Sequence, residues 1–198
     1  MSTVTLPLFP LGTVLFPGGP LSLRIFEPRY LDMTRSCLKA ATPFGVVLIL
    51  EGEEVGAVTA MAGTGTSARL VDFDTLPDGL LGVVCVGEQR FRVLKHWQQP
   101  DGLHLAEVDY LAPEAHCALP AAHAHLGELL RELLPRLGGA YAYVEAHYED
   151  AGWVANRLGE VLALSAAEKL ILLELADPLA RLAQAAAWSE RKPATEHV

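Results

Sequence analysis

Several features that commonly define a function are scarce or absent in this 198-residue sequence. Cysteine occurs three times, at positions 37, 85 and 117, and this odd, widely spaced set argues against a disulfide framework and for reduced thiols. No run of about 18 apolar residues occurs. The N-terminus also has no basic region followed by an apolar core. The sequence therefore predicts a soluble cytoplasmic protein without a membrane partner.

Basic charge is also limited, and it is not gathered in one part of the chain. The net charge is −9. Residues 1–110 hold 8 basic and 12 acidic side chains, and residues 111–198 hold 7 and 12. Because a phosphate backbone is bound by clustered lysines and arginines, this balance weighs against a nucleic-acid partner. The 51% content of hydrophobic residues is typical of a globular chain.

Two stretches of the sequence partly match catalytic motifs, but neither match is complete. Gly63-Thr64-Gly65-Thr66 lacks the Gly-Lys-Ser/Thr ending of a phosphate-binding loop, and we interpret it as a bend between two strands. Ser165 and Lys169 have the spacing of one helical turn, but they lie at a predicted helix start, where the serine caps backbone N–H groups. We therefore predict that the protein is not an enzyme.

A group of histidines and a cysteine is the nearest approach to a metal site. It comprises His116, Cys117, His123 and His125. Two of the histidines are separated by a single residue, which would place them on different faces of a helix, and no Cys-x-x-Cys or His-Glu-x-x-His spacing accompanies them. The sequence therefore predicts no metal and no other cofactor.

The most informative stretch is the opening segment, Leu6–Tyr30. Two short apolar runs flank the turn cluster Pro17-Gly18-Gly19-Pro20, and five prolines in the segment remove backbone donors. Such a segment is expected to be extended, sharply bent and wrapped along the edge of a barrel. We predict that Phe9 and Phe26 point into the barrel interior.

Strand-like patterns precede helix-like patterns along the chain. Roughly six or seven short strands with closely spaced turn signals are predicted up to Leu111, with one helix after Pro28. From Pro120 onward the apolar residues follow helical spacing. This order predicts an α+β fold, a small antiparallel β pseudo-barrel followed by a packed α-helical bundle. The expected subdomains are 1–112 and 113–190, with a flexible tail over 191–198.

The opening segment resembles the start of the Lon N-terminal domain family, the substrate-binding module of the ATP-dependent protease Lon (protease La). The resemblance begins with three motifs, Leu6–Leu11 (LPLFPL), Phe16–Gly18 (FPG) and Ile25–Tyr30 (IFEPRY). It continues in Gly87–Val93, which follows the pattern G-x-x-R-F-x-V, and in Leu164–Glu174, which follows L-x-x-x-E-K-x-x-L-L-E. The resemblance therefore covers nearly the whole chain.

The resemblance implies a PUA-like barrel that acts as a noncatalytic protein- or peptide-binding module in protein quality control. Unfolded or client proteins are the expected partners. Neither a Walker lysine nor a Ser-Lys peptidase domain accompanies the module in this sequence, which agrees with the absence of catalysis. A second interpretation stays open, because some PUA-like barrels bind RNA, although the acidic balance of the chain disfavours a nucleic-acid partner.

Five residues are candidates for a peptide-binding rim, namely Phe16, Glu27, Arg29, Arg90 and Trp97. Aromatic side chains supply anchors in such a rim, and an open strand edge supplies main-chain hydrogen bonds. The three charged residues also have a structural interpretation, in which they pair with one another or with bent backbone inside the fold.

Overall fold

The computed structural model describes residues 3–54 and 58–191, which form six strands and five α-helices. The strands are β1 Val4–Leu11, β2 Pro20–Ile25, β3 Phe44–Gly52, β4 Val58–Thr75, β5 Leu81–Gln98 and β6 His104–Tyr110. The helices are α1 Pro28–Ala40, α2 Ala124–Leu137, α3 Ala151–Val161, α4 Ala166–Glu174 and α5 Pro178–Ser189. Apart from Arg191, the predicted tail lies outside the described residues.

The six strands form one mixed sheet in the order β2-β5-β4-β3-β1-β6, and a further β5–β6 pairing joins five of them into a ring. The ring can close because β5 is 18 residues long; its first half pairs with β2 and its second half with β6. The predicted α+β class, with strands first and helices second, is confirmed. The sheet is not wholly antiparallel, however, because β2 and α1 carry the chain back so that β1 and β3 run parallel.

Strand β4 is longer than predicted, because the stretch Gly63-Thr64-Gly65-Thr66 lies inside it instead of separating two strands. A Cβ at Gly65 would lie 2.6 Å from the Phe91 ring, and one at Gly45 on the neighbouring strand would lie 2.7 Å from it. Gly65 and Gly45 therefore make room for an aromatic ring. The predicted bend is an irregularity within β4, where the register shifts between Gly65 opposite Val47 and Met61 opposite Ile49. Register shifts in the β3–β4 and β4–β5 ladders allow the long strands to curve.

The helix starts follow local sequence signals. Pro28 occupies the first turn of α1, as predicted. Ser165 and Glu168 form the predicted capping box of α4, and the Asp177 side chain accepts a hydrogen bond from the backbone N–H of Leu179 at the start of α5. None of the helices within the described residues is long and apolar enough to span a membrane.

A single hydrophobic cluster joins the barrel to the helices. Phe16 and Leu48 from the barrel half belong to the same buried cluster as Leu158 and Leu182 from the helical half. All nine residues of α3 from Ala151 to Gly159 are buried, as expected for a helix that is covered on all sides. A second cluster, which includes Phe9, packs α1 against the sheet.

Candidate functional site

A cleft of about 290 Å³ lies beside β2 and the start of α1. Its apolar lining includes Phe9, Leu23, Ile25 and Tyr30, together with Phe26. The rings of Phe9 and Tyr30 are stacked with their centroids 3.9 Å apart, which fixes the floor. We call this feature the Phe26 cleft. It brings together β1, β2 and the first turn of α1, three consecutive parts of the opening segment.

Phe26 lines the cleft and is 50% exposed, so the expectation that it points into the barrel interior is wrong. The preceding residue, Ile25, is buried at 2% exposure, and successive side chains of a strand point to opposite sides. Phe26 therefore turns outward. Phe9 is only 7% exposed and is therefore buried as expected, but it lies in the cluster that packs α1 against the sheet.

Glu27 and Arg29 are close together at the start of α1. Arg29 Nη2 lies 2.7 Å from Glu27 Oε2, and Arg29 Nη1 donates a hydrogen bond of 2.9 Å to the carbonyl oxygen of Gly102. The guanidinium group also lies 4.7 Å from the ring centroid of Tyr30. The pair thus holds α1 against the β5–β6 turn, while Glu27 in addition lines the Phe26 cleft.

Trp97 lies near the end of β5, opposite Leu105 on β6. It is half-buried, and Lys95 Nζ lies 6.0 Å from its ring centroid. The turn that follows Trp97 contains Gly102, whose carbonyl oxygen accepts the hydrogen bond from Arg29. The hairpin that carries Trp97 is therefore tied to the start of α1, and a role of Trp97 in binding stays a prediction.

Phe16 does not belong to an exposed rim, because its side chain is fully buried. It lies where the barrel meets α3, and a Cβ at Gly159 would be only 2.8 Å from its ring. The backbone near Phe16 is equally close to β5, since a Cβ at Gly87 would lie 2.3 Å from the Phe16 carbonyl oxygen. The assignment of Phe16 to a binding rim is therefore wrong.

Arg90 is also internal, with 6% of its surface exposed. Its Nη1 atom donates to the carbonyl oxygens of Leu173 and Leu175, at 2.7 and 3.1 Å, and its Nη2 atom lies 2.6 Å from Glu114 Oε1. Arg181, which is fully buried, pairs with the same carboxylate. We call Arg90, Glu114 and Arg181 the arginine junction, because they connect β5, the segment after β6 and α5.

The electrostatics of the arginine junction follow from its burial. Removal from water and the nearby Arg181 charge both lower the pKa of Arg90, whereas Glu114 acts in the opposite direction. Arg181 has additional acceptors in the Leu172 carbonyl oxygen at 3.0 Å and Asn156 Oδ1 at 3.1 Å. Arg90 therefore pairs with a carboxylate and with backbone carbonyl oxygens inside the fold. It is not part of the surface near the Phe26 cleft.

A third buried arginine, Arg157 of α3, was not singled out by its sequence context. Its Nη2 atom donates to the Pro17 carbonyl oxygen at 2.9 Å and pairs with Glu160 Oε1 at 2.6 Å, and its Nη1 atom donates to the Gly18 carbonyl oxygen. Burial raises the pKa of Glu160 to about 7, because its removal from water outweighs the attraction of the guanidinium group. No local sequence signal marks Arg157, since its backbone acceptors lie in the opening segment.

The remaining candidates for chemistry have structural partners. The Ser165 hydroxyl accepts from the backbone N–H of Glu168 as a helix cap, and Lys169 Nζ lies 3.5 Å from the Glu160 carbonyl oxygen. His116 Nδ1 lies 2.8 Å from Asp150 Oδ2. Within residues 3–54 and 58–191, no three His, Cys, Asp or Glu side chains are grouped so as to hold a metal ion.

The fold and the opening motifs are those of a known family. The model of the ATP-dependent protease La (LON) substrate-binding domain matches residues 5–188. This match includes the whole of the mixed sheet except its first residue and nearly all of the helical half. The chain belongs to the LON substrate-binding domain family.

Individual relatives agree with this assignment. A crystal structure of a Lon N-terminal domain protein from Xanthomonas campestris superimposes with a TM-score of 0.77 and 38% identity, covering 93% of this chain and 98% of that one. The N-terminal domain of the Mycobacterium avium complex Lon protease shares the fold, with a TM-score of 0.68 and 21% identity over 98% of this chain and 100% of that one.

Two curated proteins are similar over part of their length. Lon protease 2 of Myxococcus xanthus is 28% identical over 185 residues, which is 89% of this chain and 22% of that protein. Protein cereblon of Danio rerio is 30% identical over 135 residues, which is 63% of this chain and 31% of that protein. The chain thus matches less than a third of the length of either relative.

Proposed function

We propose that this chain is a noncatalytic module that binds unfolded proteins or extended peptides and acts in protein quality control. Its family is that of the LON substrate-binding domain. The observation that carries the proposal is the half-exposed Phe26 ring beside the apolar Phe26 cleft. An exposed aromatic side chain next to a concave apolar surface is typical of an anchor for a partner.

Three of the predicted rim residues remain in the proposed binding surface. Glu27 lines the Phe26 cleft, Arg29 fixes the helix start behind it, and Trp97 lies on the hairpin that Arg29 contacts. Phe16 and Arg90 are left out because they are buried. The proposed surface therefore consists of the Phe26 cleft with the adjoining start of α1, and the β5–β6 hairpin is an extension of it.

We propose binding without turnover. Ser165 and Lys169, the pair with the spacing of a Ser-Lys dyad, have the contacts of a helix cap and of a side chain next to a backbone carbonyl. The three cysteines are free thiols, two of them buried, which supports a reducing, cytoplasmic setting. Burial raises the pKa of the Cys85 thiol to about 12, so this sulfur is a poor nucleophile at neutral pH.

The test is capture of a reduced, unfolded model protein by the purified chain. We expect saturable binding that Phe26→Ala weakens, because the substitution removes the proposed anchor. Neither ATP hydrolysis nor casein cleavage is expected. Turnover of ATP or casein that disappears when one residue of this chain is changed would contradict the noncatalytic proposal.

A parallel titration with single-stranded RNA at low salt tests the nucleic-acid alternative. The net charge of −9 leads us to expect no saturable RNA binding, because counterion release requires clustered cations. If RNA bound more tightly than unfolded protein did, the protein-binding proposal would be wrong.

A further inference from the structure

Strand β2 has a free edge. Within the described residues it pairs only with β5, through the register from Pro20 opposite Val86 to Ile25 opposite Leu81. Among residues 3–54 and 58–191, the backbone groups on the other side of β2 therefore have no strand partner. An exposed strand edge is a template on which an extended peptide can add as a further strand.

The free edge is flanked by two clefts. The Phe26 cleft shares Ser22, Leu23 and Arg24 with a second cleft of about 380 Å³, which is lined in addition by Phe73 and its neighbours on β4 and β5. Phe73 is 61% exposed. We call β2, Phe26 and the two clefts the β2 edge surface. It offers main-chain hydrogen bonds and two half-exposed aromatic rings within one continuous region.

The charge of this surface is negative. Arg24 pairs with Asp78, and Glu27 pairs with Arg29, so these cations are offset. Glu54 lines the Phe26 cleft, while Asp72 and Asp74 line the second cleft. None of these three carboxylates takes part in an ion pair within the part of the chain that the structure describes. A cationic partner is complementary to such a surface.

We propose that the β2 edge surface binds an extended peptide that carries an apolar anchor residue beside lysine or arginine. The inference depends on the proposed protein-binding function and specifies its substrate class. The peptide backbone adds to β2, the anchor enters the Phe26 cleft, and the basic side chain lies toward Glu54. Asp72 and Asp74 add negative potential that favours association with cationic segments.

The peptide specificity is tested with a set of fluorescent nine-residue peptides measured by anisotropy against the full chain. The parent carries one Phe flanked by Lys within a neutral sequence, and its relatives carry Lys→Glu, Lys→Ser or Phe→Ala. We expect the parent to bind best, with about a tenfold loss for Phe→Ala and a smaller loss for Lys→Ser. Methylation of alternate peptide nitrogens should also weaken binding, since it removes main-chain donors.

Protein variants locate the site. We expect Phe26→Ala to weaken every peptide, and Glu54→Gln to weaken the Lys peptide about threefold or more while leaving the Ser peptide unchanged. Glu128→Gln is the matched control, because Glu128 lies on α2 with its side chain 68% exposed. The selective loss in Glu54→Gln would not arise from a general change in stability.

The outcomes separate the two proposals. If Phe26→Ala weakens the capture of unfolded protein but the Lys, Ser and Glu peptides bind equally, or Glu54→Gln has no selective effect on the Lys peptide, the inference is wrong and the proposed function stands. A lysine peptide without Phe that binds as well as the parent also overturns it, since the attraction would then be electrostatic only. If neither unfolded protein nor any peptide binds, both proposals fail.

Discussion

The arginine junction and the β2 edge surface place charged and apolar groups in opposite ways. At the junction, the guanidinium groups of Arg90 and Arg181 are nearly or wholly buried and share the Glu114 carboxylate. At the edge surface, the aromatic rings of Phe26 and Phe73 are half or more exposed. The first region thus hides charge from water, and the second exposes apolar area to it.

The comparison indicates that different residues of this fold determine its stability and its binding of a partner. A buried charge that loses its partner stays uncompensated in a region of low dielectric constant, so the contacts of the junction depend on one another. An exposed ring already contacts water, and its removal changes the free energy of unfolding little. We therefore expect changes at the junction to affect folding and changes at the edge to affect binding.

The largest expected effect is that of Glu114→Ala. The substitution leaves Arg90 and Arg181 buried without a carboxylate, which typically costs about 3–5 kcal/mol of unfolding free energy. Urea denaturation followed by circular dichroism measures this loss. Glu149→Ala is the control, because the Glu149 side chain is 81% exposed in its pair with Arg131 and exposed pairs contribute about 0–1 kcal/mol. Equal effects of the two substitutions would contradict the distinction between junction and surface.

The same denaturation curves test the proposed subdomains, 1–112 and 113–190. Because one buried cluster contains residues of both halves, we expect a single cooperative transition for the wild-type chain. Limited proteolysis provides an independent measurement. Two stable folded fragments cut between Leu111 and Pro120 would show that the halves are independent and that the shared cluster does not couple them.

Phe16→Ala is expected to be nearly as costly as the loss of Glu114. The ring is fully buried against α3, and truncation of a buried Phe typically costs about 3–5 kcal/mol. Thermal unfolding should therefore show a large fall in the melting temperature. A loss as small as that of an exposed side chain would show that the barrel and α3 are not held together at this point.

Glu160→Gln should change how stability depends on pH. Since burial raises the pKa of Glu160 to about 7, the folded chain holds an extra proton between the ordinary carboxyl pKa and that value. The contribution of protonated Glu160 to the free energy of unfolding is therefore fully present below the pKa that Glu160 has in the unfolded chain. This contribution is lost as the pH rises through about 7. We expect Glu160→Gln to flatten this decline in melting curves from about pH 5 to pH 8. An unchanged slope would contradict the assignment, and Glu149→Gln serves as the control with the slope retained.

The smallest effects on stability are expected at the proposed binding surface. Phe26→Ala should cost less than about 1 kcal/mol, because the side chain is half exposed. Trp97→Ala should lower the melting temperature by only a few degrees, since the ring is half-buried. Calorimetry paired with capture of unfolded protein measures both properties. If Trp97→Ala destabilised the fold as much as Phe16→Ala, Trp97 would be a core residue and not part of a binding surface.

Local signals were sufficient to predict much of the fold. Pro28 and Ser165 marked the starts of two helices, because helix caps depend on side chains within a few residues. The outward direction of Phe26 was also accessible from the sequence. Leu21, Leu23 and Ile25 share one face of β2, and strict alternation would have placed Phe26 on the other side.

The junctions between the halves could not be predicted in the same way. Arg181 resembles any arginine on an amphipathic helix until Glu114 is known to lie beside it, and the two residues are 67 positions apart. Arg157 donates to backbone carbonyl oxygens of Pro17 and Gly18. Because every residue has a carbonyl oxygen, the side chains at these positions do not indicate such a contact. Gly65 was interpreted as part of a bend. The sequence alone does not distinguish a glycine that makes room for a neighbouring aromatic ring from a glycine in a turn.

The closure of the sheet has a consequence for the nascent chain. Strand β1 pairs with β3 and with β6. The second of these partners is the last strand of the chain, and in that pairing Val4 lies opposite Val108. A connection of this length must lose its conformational freedom before the pairing adds any stability. We therefore expect folding in milliseconds to seconds rather than microseconds. During synthesis, one edge of β1 stays unpaired until β6 has left the ribosome, and a chaperone would find that edge available during this interval.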